Sequence, residues 1–509
     1  MKKILRHRIK QIGSYLLLFL VRLSETMEDL ADHALSQLAG KDHSLKASFA
    51  KESTILSPRN KGFVLTGTKA IRPEISKMGV LISGGSGSGK STIVGIPNCL
   101  TTENSKIIHD PSSELFDQSS GYLKSQGYTI IRIDWSDANH SHNFNPLERV
   151  STLSEYSKLA TQLVEASSNK KDKGNFWNSM AIQLLVCIIR IVKQLPNEYK
   201  TLTEVAHLVD QLQSKSGQKE VDQLVAIISE KDEGLFEKYA SLIGNSENTL
   251  SGILGSATTA VQMYALDENI IHITSNDSLG DFKKWRKEKT VVYIHSSTVN
   301  MNYYAPLSSI FLQQYFESLF KSLPTEGELD VDFILDETPI LSIELDVLAA
   351  NVRKYRGSLL VICQDAENQL TNSFGRERAR SILSNLKTKL YLTTNLDSAQ
   401  RLSKELGTYE YMDKKTKQIR RRELMTPEEI MSLPADKGLI TITGQQSILA
   451  RLSPHFLILR LKRMSELPPA LDDDQITDKQ HNPPRLLNLT EYLESFPSLT
   501  PKTKTDGQN

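Results

Sequence analysis

The segment Gly84-Gly85-Ser86-Gly87-Ser88-Gly89-Lys90-Ser91 limits what this chain can fold into more than any other. It follows the short apolar run Met78–Ser83 and leads into Thr92-Ile93-Val94. Four fixed positions, G-x-x-x-x-G-K-[ST], between a strand and a helix form a P-loop. Glycines let successive backbone N–H groups curl toward phosphate oxygens, and the following helix adds its positive end. The expected nucleotide-binding set is Gly84, Gly85, Ser86, Gly87, Ser88, Gly89, Lys90, Ser91 and Thr92. Lys90 supplies a cation to the β- and γ-phosphates of ATP, and the Ser91 hydroxyl is a ligand for Mg2+.

A P-loop requires a sheet around it. Apolar runs occur at Lys106–His109, Thr129–Ile133, Thr290–Ile294, Val331–Leu335, Ser358–Cys363, Lys389–Leu392 and Gly438–Ile442. Continuous apolar runs, rather than clean alternation, indicate strands covered on both faces, as in a parallel sheet flanked by helices. Between about 150 and 275 the period becomes helical, as in Phe176–Val186 and Leu202–Ile228. The expected fold is α/β, a RecA-like P-loop NTPase domain with a mainly parallel sheet and an inserted all-α domain. Residues 51–150 and 280–464 form the motor and 151–279 the insert.

The ends read differently. Lys2, Lys3, Arg6, Arg8 and Lys10 precede the apolar run Ile12–Val21, and no acid occurs before Glu25. A run of ten residues is too short to span a bilayer, which takes about 20. The segment 1–50 is read as a basic, apolar helical segment that lies on an anionic membrane surface or packs on protein. From 465 to 509, Pro468-Pro469, Asp472-Asp473-Asp474 and Pro483-Pro484 leave little to build a core, so a mobile tail is expected. Cys99, Cys187 and Cys363 each lie in an apolar stretch, which reads as packing in a reducing compartment.

A phosphate loop also needs a carboxylate on a neighbouring strand. The run Phe333-Ile334-Leu335 ends in Asp336-Glu337. Asp336 is the expected partner of Mg2+, and Glu337 the group that orients or deprotonates the attacking water. Such a pair suits hydrolysis and does not fit a kinase. Gln364, at the end of the next apolar strand, is a candidate sensor of the γ-phosphate or the water. Arg353, Arg356, Arg376, Arg378 and Arg380 are candidates for an arginine reaching a neighbouring subunit's nucleotide.

The order of these motifs resembles the type IV secretion coupling proteins, the TraG/TraD-like ATPases of bacterial conjugation. The likeness runs from about Gly79 to Gly444. It is carried by Asp110-Pro111-Ser112-Ser113-Glu114-Leu115, Phe144-Asn145-Pro146-Leu147, Asn175-Phe176-Trp177, Leu335-Asp336-Glu337, Gln364 and Leu424–Ile430. Arg353 falls where the family places an arginine after the acid pair. The resemblance implies a hexameric ring with DNA in its channel, partnered by a relaxase or relaxosome and by type IV secretion channel proteins. It also implies work at the cytoplasmic face of a bacterial membrane. Three features depart from the family pattern. The usual pair of N-terminal spanning helices has no counterpart, so peripheral attachment, through a small membrane-anchoring partner, is expected. Ser112-Ser113 replaces Lys-Gly, and Thr338-Pro339 replaces Phe-Ala.

With 61 basic and 60 acidic residues, net charge is +1, which excludes a uniformly basic DNA coat. Local clusters at Lys414–Arg422 and Lys283-Lys284-Trp285-Arg286-Lys287 are candidate DNA contacts. Two other readings of the motif set remain: a cytosolic HerA/FtsK-like DNA translocase, and a substrate-docking receptor whose nucleotide site is structural.

Overall fold

The structure is a computed structural model that describes residues 47–167, 175–232, 234–413, 417–470 and 484–496. The basic terminus Lys2–Lys10, the run Ile12–Val21 and Lys414–Thr416 therefore lie outside the described residues. The described residues divide into two compact units, Ala47 with 407–424, and the remainder.

In the larger unit, every apolar run in the expected series is a strand. These are β1 (Val80–Ser83), β2 (Ser105–His109), β3 (Thr129–Asp134), β4 (Thr290–His295), β5 (Val331–Leu335), β6 (Gly357–Cys363) and β7 (Thr388–Tyr391). In the smaller unit a two-stranded hairpin is formed by β8 (Thr408–Met412) and β9 (Ile419–Glu423). Back in the larger unit come β10 (Lys437–Ile442) and β11 (Ile448–Arg451). Nine strands form one sheet in the order β11-β10-β7-β1-β6-β5-β2-β4-β3. The first seven strands in sequence are parallel, whereas β10 is antiparallel to both β7 and β11. An apolar run signals burial but not direction, so only the pairing of Ile440 with Leu390 reveals the reversal.

Side chains alternate across the sheet and supply two cores. Val80, Ile82, Ile108, Ile334, Leu360 and Ile362 face one layer, with Cys99, Leu115 and Leu461 from the covering helices. Leu81, Ile107, Val292, Phe333, Leu335 and Val361 face the other. That second core runs on without a break into the helical segment. All three cysteines are buried and free.

The helical segment includes Leu153–Ser167, Phe176–Val192, Leu202–Gln211, Lys215–Ser229, Leu235–Ile243 and Glu247–Val261. Its breaks are set by caps: Asn175, Thr201, Ser214 and Ser246 each accept a backbone N–H of the turn they start. Trp135 is fully buried where this segment meets the helix Met301–Phe320, and its Nε1 donates to Ser308 Oγ at 2.9 Å. Phe144 meets Phe311 edge to face at 5.1 Å. Sheet and helices thus share one core, and Trp135→Ala is expected to cost about 3–5 kcal/mol. Denaturant titration should show one lowered transition for both; a separate transition for the helical segment would contradict a shared core.

Two expectations need correction here. Within the presumed tail, residues 484–496 are ordered, with Leu487 and Leu489 buried and a short helix at Leu489–Glu494. Ala470 N also donates to Ser120 Oγ at 3.0 Å. In the cluster at 283–287, Trp285 is a core residue stacked on Tyr315 at 5.3 Å, and Arg286 is buried with Nε on the Leu329 carbonyl. Neither side chain is presented to a DNA backbone, although Lys283, Lys284 and Lys287 remain exposed.

The smaller unit is simple. Thr408 pairs with Glu423 and Met412 with Ile419. Arg420 and Arg421 are exposed on it; Arg420 pairs with Asp413 at 3.1 Å, and Arg421 donates to Thr408 Oγ1 at 2.7 Å. No helix among the described residues is long and apolar enough to cross a membrane.

Candidate nucleotide-binding site

β1 lies inside the sheet between β7 and β6, and the chain leaves its carboxyl end for β2, three strands away. A crevice outside the carboxyl ends of parallel strands is where open α/β sheets bind ligands. Here it is a cleft of about 380 Å3, lined among others by Ser86, Gly87, Gly89, Lys90, Ser91, Thr92, Asp336, Glu337 and Gln364.

The loop's glycines are required by its shape. Gly87 and Gly89 have φ of 73° and 88°, the left-handed region that L residues avoid. A Cβ at Gly84 would stand 2.6 Å from Ser88 Oγ and 2.9 Å from Leu392 Cβ. Gly84 N and Gly85 N are fixed outward, to the Cys363 carbonyl at 3.2 Å and Thr393 Oγ1 at 2.7 Å. Lys90 Nζ folds back onto the carbonyls of Gly84 at 2.9 Å and Gly85 at 3.1 Å. The helix following the loop opens with a π-helical turn, Lys90–Gly95, and continues as Ile96–Thr101.

The opposite wall is acidic. Asp336 follows β5, and its Oδ1 accepts Glu337 N at 3.0 Å. Burial, and then the neighbouring Glu337 carboxylate, push the Asp336 carboxyl up to about 6. Glu337 sits at φ 47°, a conformation costly for a side-chain-bearing residue and typical of functional turns. Gln364, just past β6, donates from Nε2 to Glu337 Oε1 at 2.9 Å. The acid pair and Gln364, picked from two stretches of sequence, are therefore brought together.

Below them lies a buried polar layer. Asp110 Oδ2 accepts Phe116 N at 2.8 Å, and burial raises its carboxyl to about 7. His109 Nδ1 bonds the Asp336 carbonyl at 2.7 Å and His295 Nδ1 the Asp110 carbonyl at 3.0 Å. Burial lowers both imidazoles to about 4, so they are neutral near pH 7. Ser113 has φ 62°, so a serine holds a glycine-type conformation there.

The residues present fit a magnesium nucleotide. One wall offers an ammonium, a Ser91 hydroxyl and a helix start; the other offers Asp336 and Glu337. Ser88 Oγ is buried beside the loop without a partner among the described residues. A second cleft, of about 420 Å3, lies along the helices Leu153–Ser167 and Met301–Phe320. It contains none of these groups, and four of its charges are paired, Lys158 with Glu317 at 3.0 Å and Arg378 with Asp346 at 2.7 Å.

Arg353 is not in this cleft. It is exposed in the turn Val352–Tyr355, before β6, at the end of that strand opposite to Gln364. Arg356 is taken up by Asp330 at 2.6 Å and the Glu328 carbonyl at 2.7 Å. Glu114, Thr298 and Met301 do line the cleft, though none was among the candidate site residues. Glu114 was visible as a family-like position; Thr298 and Met301 carry no local signal beyond lying shortly after β4.

Asp336→Asn tests this electrostatic picture. Its folded pKa is raised from 3.8, so ionisation weakens the fold as pH climbs from 3.8 through about 6. The amide should therefore stabilise the ligand-free protein at pH 7 by on the order of 1–3 kcal/mol. That advantage should vanish below pH 4 and be accompanied by loss of Mg2+ dependence. Thermal melts across this pH range provide the measurement; equal melts at pH 7 would remove the argument.

The family described as Type IV secretory system Conjugative DNA transfer matches residues 37–477. Protein VirD4 of Rhizobium radiobacter is 24% identical over 410 residues, covering 74% of this chain and 57% of that protein. The type IV secretion system-coupling protein VirD4 of Bartonella henselae is 22% identical over 417 residues, covering 79% and 60%. The chain thus spans less than two thirds of the length of these relatives. Among solved structures, the bacterial conjugative coupling protein TrwB lacking its first 70 residues superposes with TM-score 0.64. It is 16% identical, and the match covers 82% of this chain and 96% of that one. TrwB bound to a non-hydrolysable ATP analogue matches with TM-score 0.64, 18% identity and the same coverage. With 37–477 matched and the α/β fold shared, this chain belongs to the Type IV secretory system conjugative DNA transfer family.

Proposed function

We propose that this protein is an ATP-hydrolysing coupling protein that recruits DNA, relaxase-bound, or protein substrates and drives them into a type IV secretion channel. The observation that carries the reading is the meeting of Lys90, Ser91, Asp336, Glu337 and Gln364 in one cleft of a chain from this family. TrwB has been solved with ADP and Mg2+, which supports the same ligands here.

The roles follow from position. The loop from Gly84 to Gly89 and Thr92 surround the phosphates, and Lys90 leaves the Gly84 and Gly85 carbonyls to meet them. Ser91 and Asp336 would hold Mg2+, which would supply charge neutralisation at the phosphates. Glu337 takes the proton of the attacking water, and Gln364 orients Glu337 through their hydrogen bond. Arg353, exposed and remote from its own cleft, is assigned to the nucleotide of the next subunit in a homo-hexamer. The ring works at the cytoplasmic face of the bacterial membrane, attached peripherally through a small anchoring partner. Its partners are a relaxase or relaxosome and the channel proteins.

The test is ATP hydrolysis with and without DNA. Rates should rise several-fold with DNA and fall back as salt displaces phosphate contacts. Hydrolysis indifferent to DNA at every salt concentration would overturn the DNA-translocating reading.

A further inference from the structure

The ordered segment 484–496 meets the helical insert in a manner unlike ordinary core packing. Leu487 and Leu489 are buried, while Leu486, Asn488 and Thr490 between and beside them are exposed. Leu486, Leu487 and Asn488 alternate out-in-out, as an extended peptide on a surface does, and Asn488 has extended backbone. Asn488 then caps a short helix, Leu489–Glu494, that packs on Lys215–Ser229.

The backbone of Leu487 is held at both of its polar groups. Its N–H donates to Glu204 Oε2 at 3.0 Å, and its carbonyl meets His207 Nε2 at 3.3 Å. Glu204 and His207 lie three residues apart on one face of the helix Leu202–Gln211. Thr490 Oγ1 adds a bond to Glu220 Oε1 at 2.7 Å. Glu204 is fully buried, and its second oxygen, Oε1, has no partner among the described residues. A buried carboxyl with so few partners is costly for a fold. Bonds to the main chain give affinity, and pockets for alternate side chains give specificity, where proteins recognise extended peptides.

We propose that the helices Leu202–Gln211 and Lys215–Ser229 form a docking site for extended Leu-x-Leu peptides that turn into a helix, filled in cis by residues 484–496. The chain's own segment is a built-in competitor, and a protein partner presenting the same pattern gains the site by displacing it. The inference concerns the insert and does not depend on the nucleotide reading.

A fluorescein-labelled peptide of residues 484–496 tests it by anisotropy against the full chain. Wild-type protein should bind weakly, because a tethered competitor acts at an effective concentration in the millimolar range. The full-length double variant Leu487→Asp/Leu489→Asp should bind at least tenfold more tightly. Adding Glu204→Ala to that variant should remove the gain. No gain in the double variant, or a gain insensitive to Glu204, overturns the proposal. If the double variant fails to fold, hydrogen exchange on the wild type decides. Amides of 486–490 should exchange at least tenfold faster than those of Leu202–Gln211, through local release; equal protection makes the segment ordinary core and overturns it.

Discussion

Glu337→Gln should lower ATP hydrolysis by about 10^2–10^4-fold, the range a positioned general base supplies, while nucleotide binding stays within threefold of wild type. The amide matches the carboxylate in size and can still accept the hydrogen bond from Gln364 Nε2. It also places the same side-chain length on the left-handed backbone at φ 47°, so the turn has no new reason to move. What changes is charge. The Glu337 carboxylate is one cause of the raised Asp336 carboxyl, so its neutralisation lets Asp336 ionise more easily and leaves metal binding at least as strong. Phosphate release measured beside nucleotide binding separates the two effects. A rate within threefold of wild type would place the base elsewhere, and Glu114 is the next carboxylate lining the cleft.

Lys90→Ala should weaken nucleotide binding by about 10–100-fold, as expected for losing charge-assisted hydrogen bonds of about 1.5–3 kcal/mol each. Hydrolysis should drop further, by about 10^2–10^3-fold, because a cation on the transferring phosphate matters most where charge develops. Stability should fall by about 1 kcal/mol, because the carbonyls that lose Lys90 belong to Gly84, which is buried, and Gly85, which is half-buried. The Lys90 ammonium also lowers the Asp336 carboxyl, so the variant should need a higher pH to ionise it. Nucleotide titrations at two pH values check both statements. Unaltered binding in Lys90→Ala would contradict the assigned loop.

Much of the fold was legible because its strands are short β-branched runs fenced by glycine and polar turns. Val331–Leu335 and Gly357–Cys363 are buried at every position, so burial and pattern coincide. The reversed direction of β10 was not, because direction is set by connections and partners rather than by composition. Nor was β11, four residues long with a polar end. The P-loop and the acid pair were legible because phosphate and metal chemistry demand those residue types in fixed local order. Thr298 and Met301 reach the cleft only through the placement of β4 beside β2, which no local pattern reports. The segment around Leu487 was obscured by its prolines and charges. Two leucines two residues apart look unremarkable until a carboxyl far earlier in the chain, at Glu204, is seen to hold the backbone N–H of the first of them.

The turn that carries Glu337 has a mechanical consequence. Thr338 Oγ1 is tied to the Leu335 carbonyl at 2.6 Å, so the turn is anchored to the strand behind it. A few residues on, Ser342 N and Glu344 N are tied to Ser309 Oγ at 2.9 Å and Gln313 Oε1 at 3.1 Å, both on the helix Met301–Phe320. Trp135 and Phe144 pack on that helix, and the Phe144 N–H donates to the Ile273 carbonyl of the insert at 2.8 Å. A connection this short, pinned at both ends, has no slack in which to absorb a change of backbone at Glu337. It behaves as a connecting rod: a change of backbone at Glu337 is passed to the helix Met301–Phe320 and into the core that this helix shares with the insert.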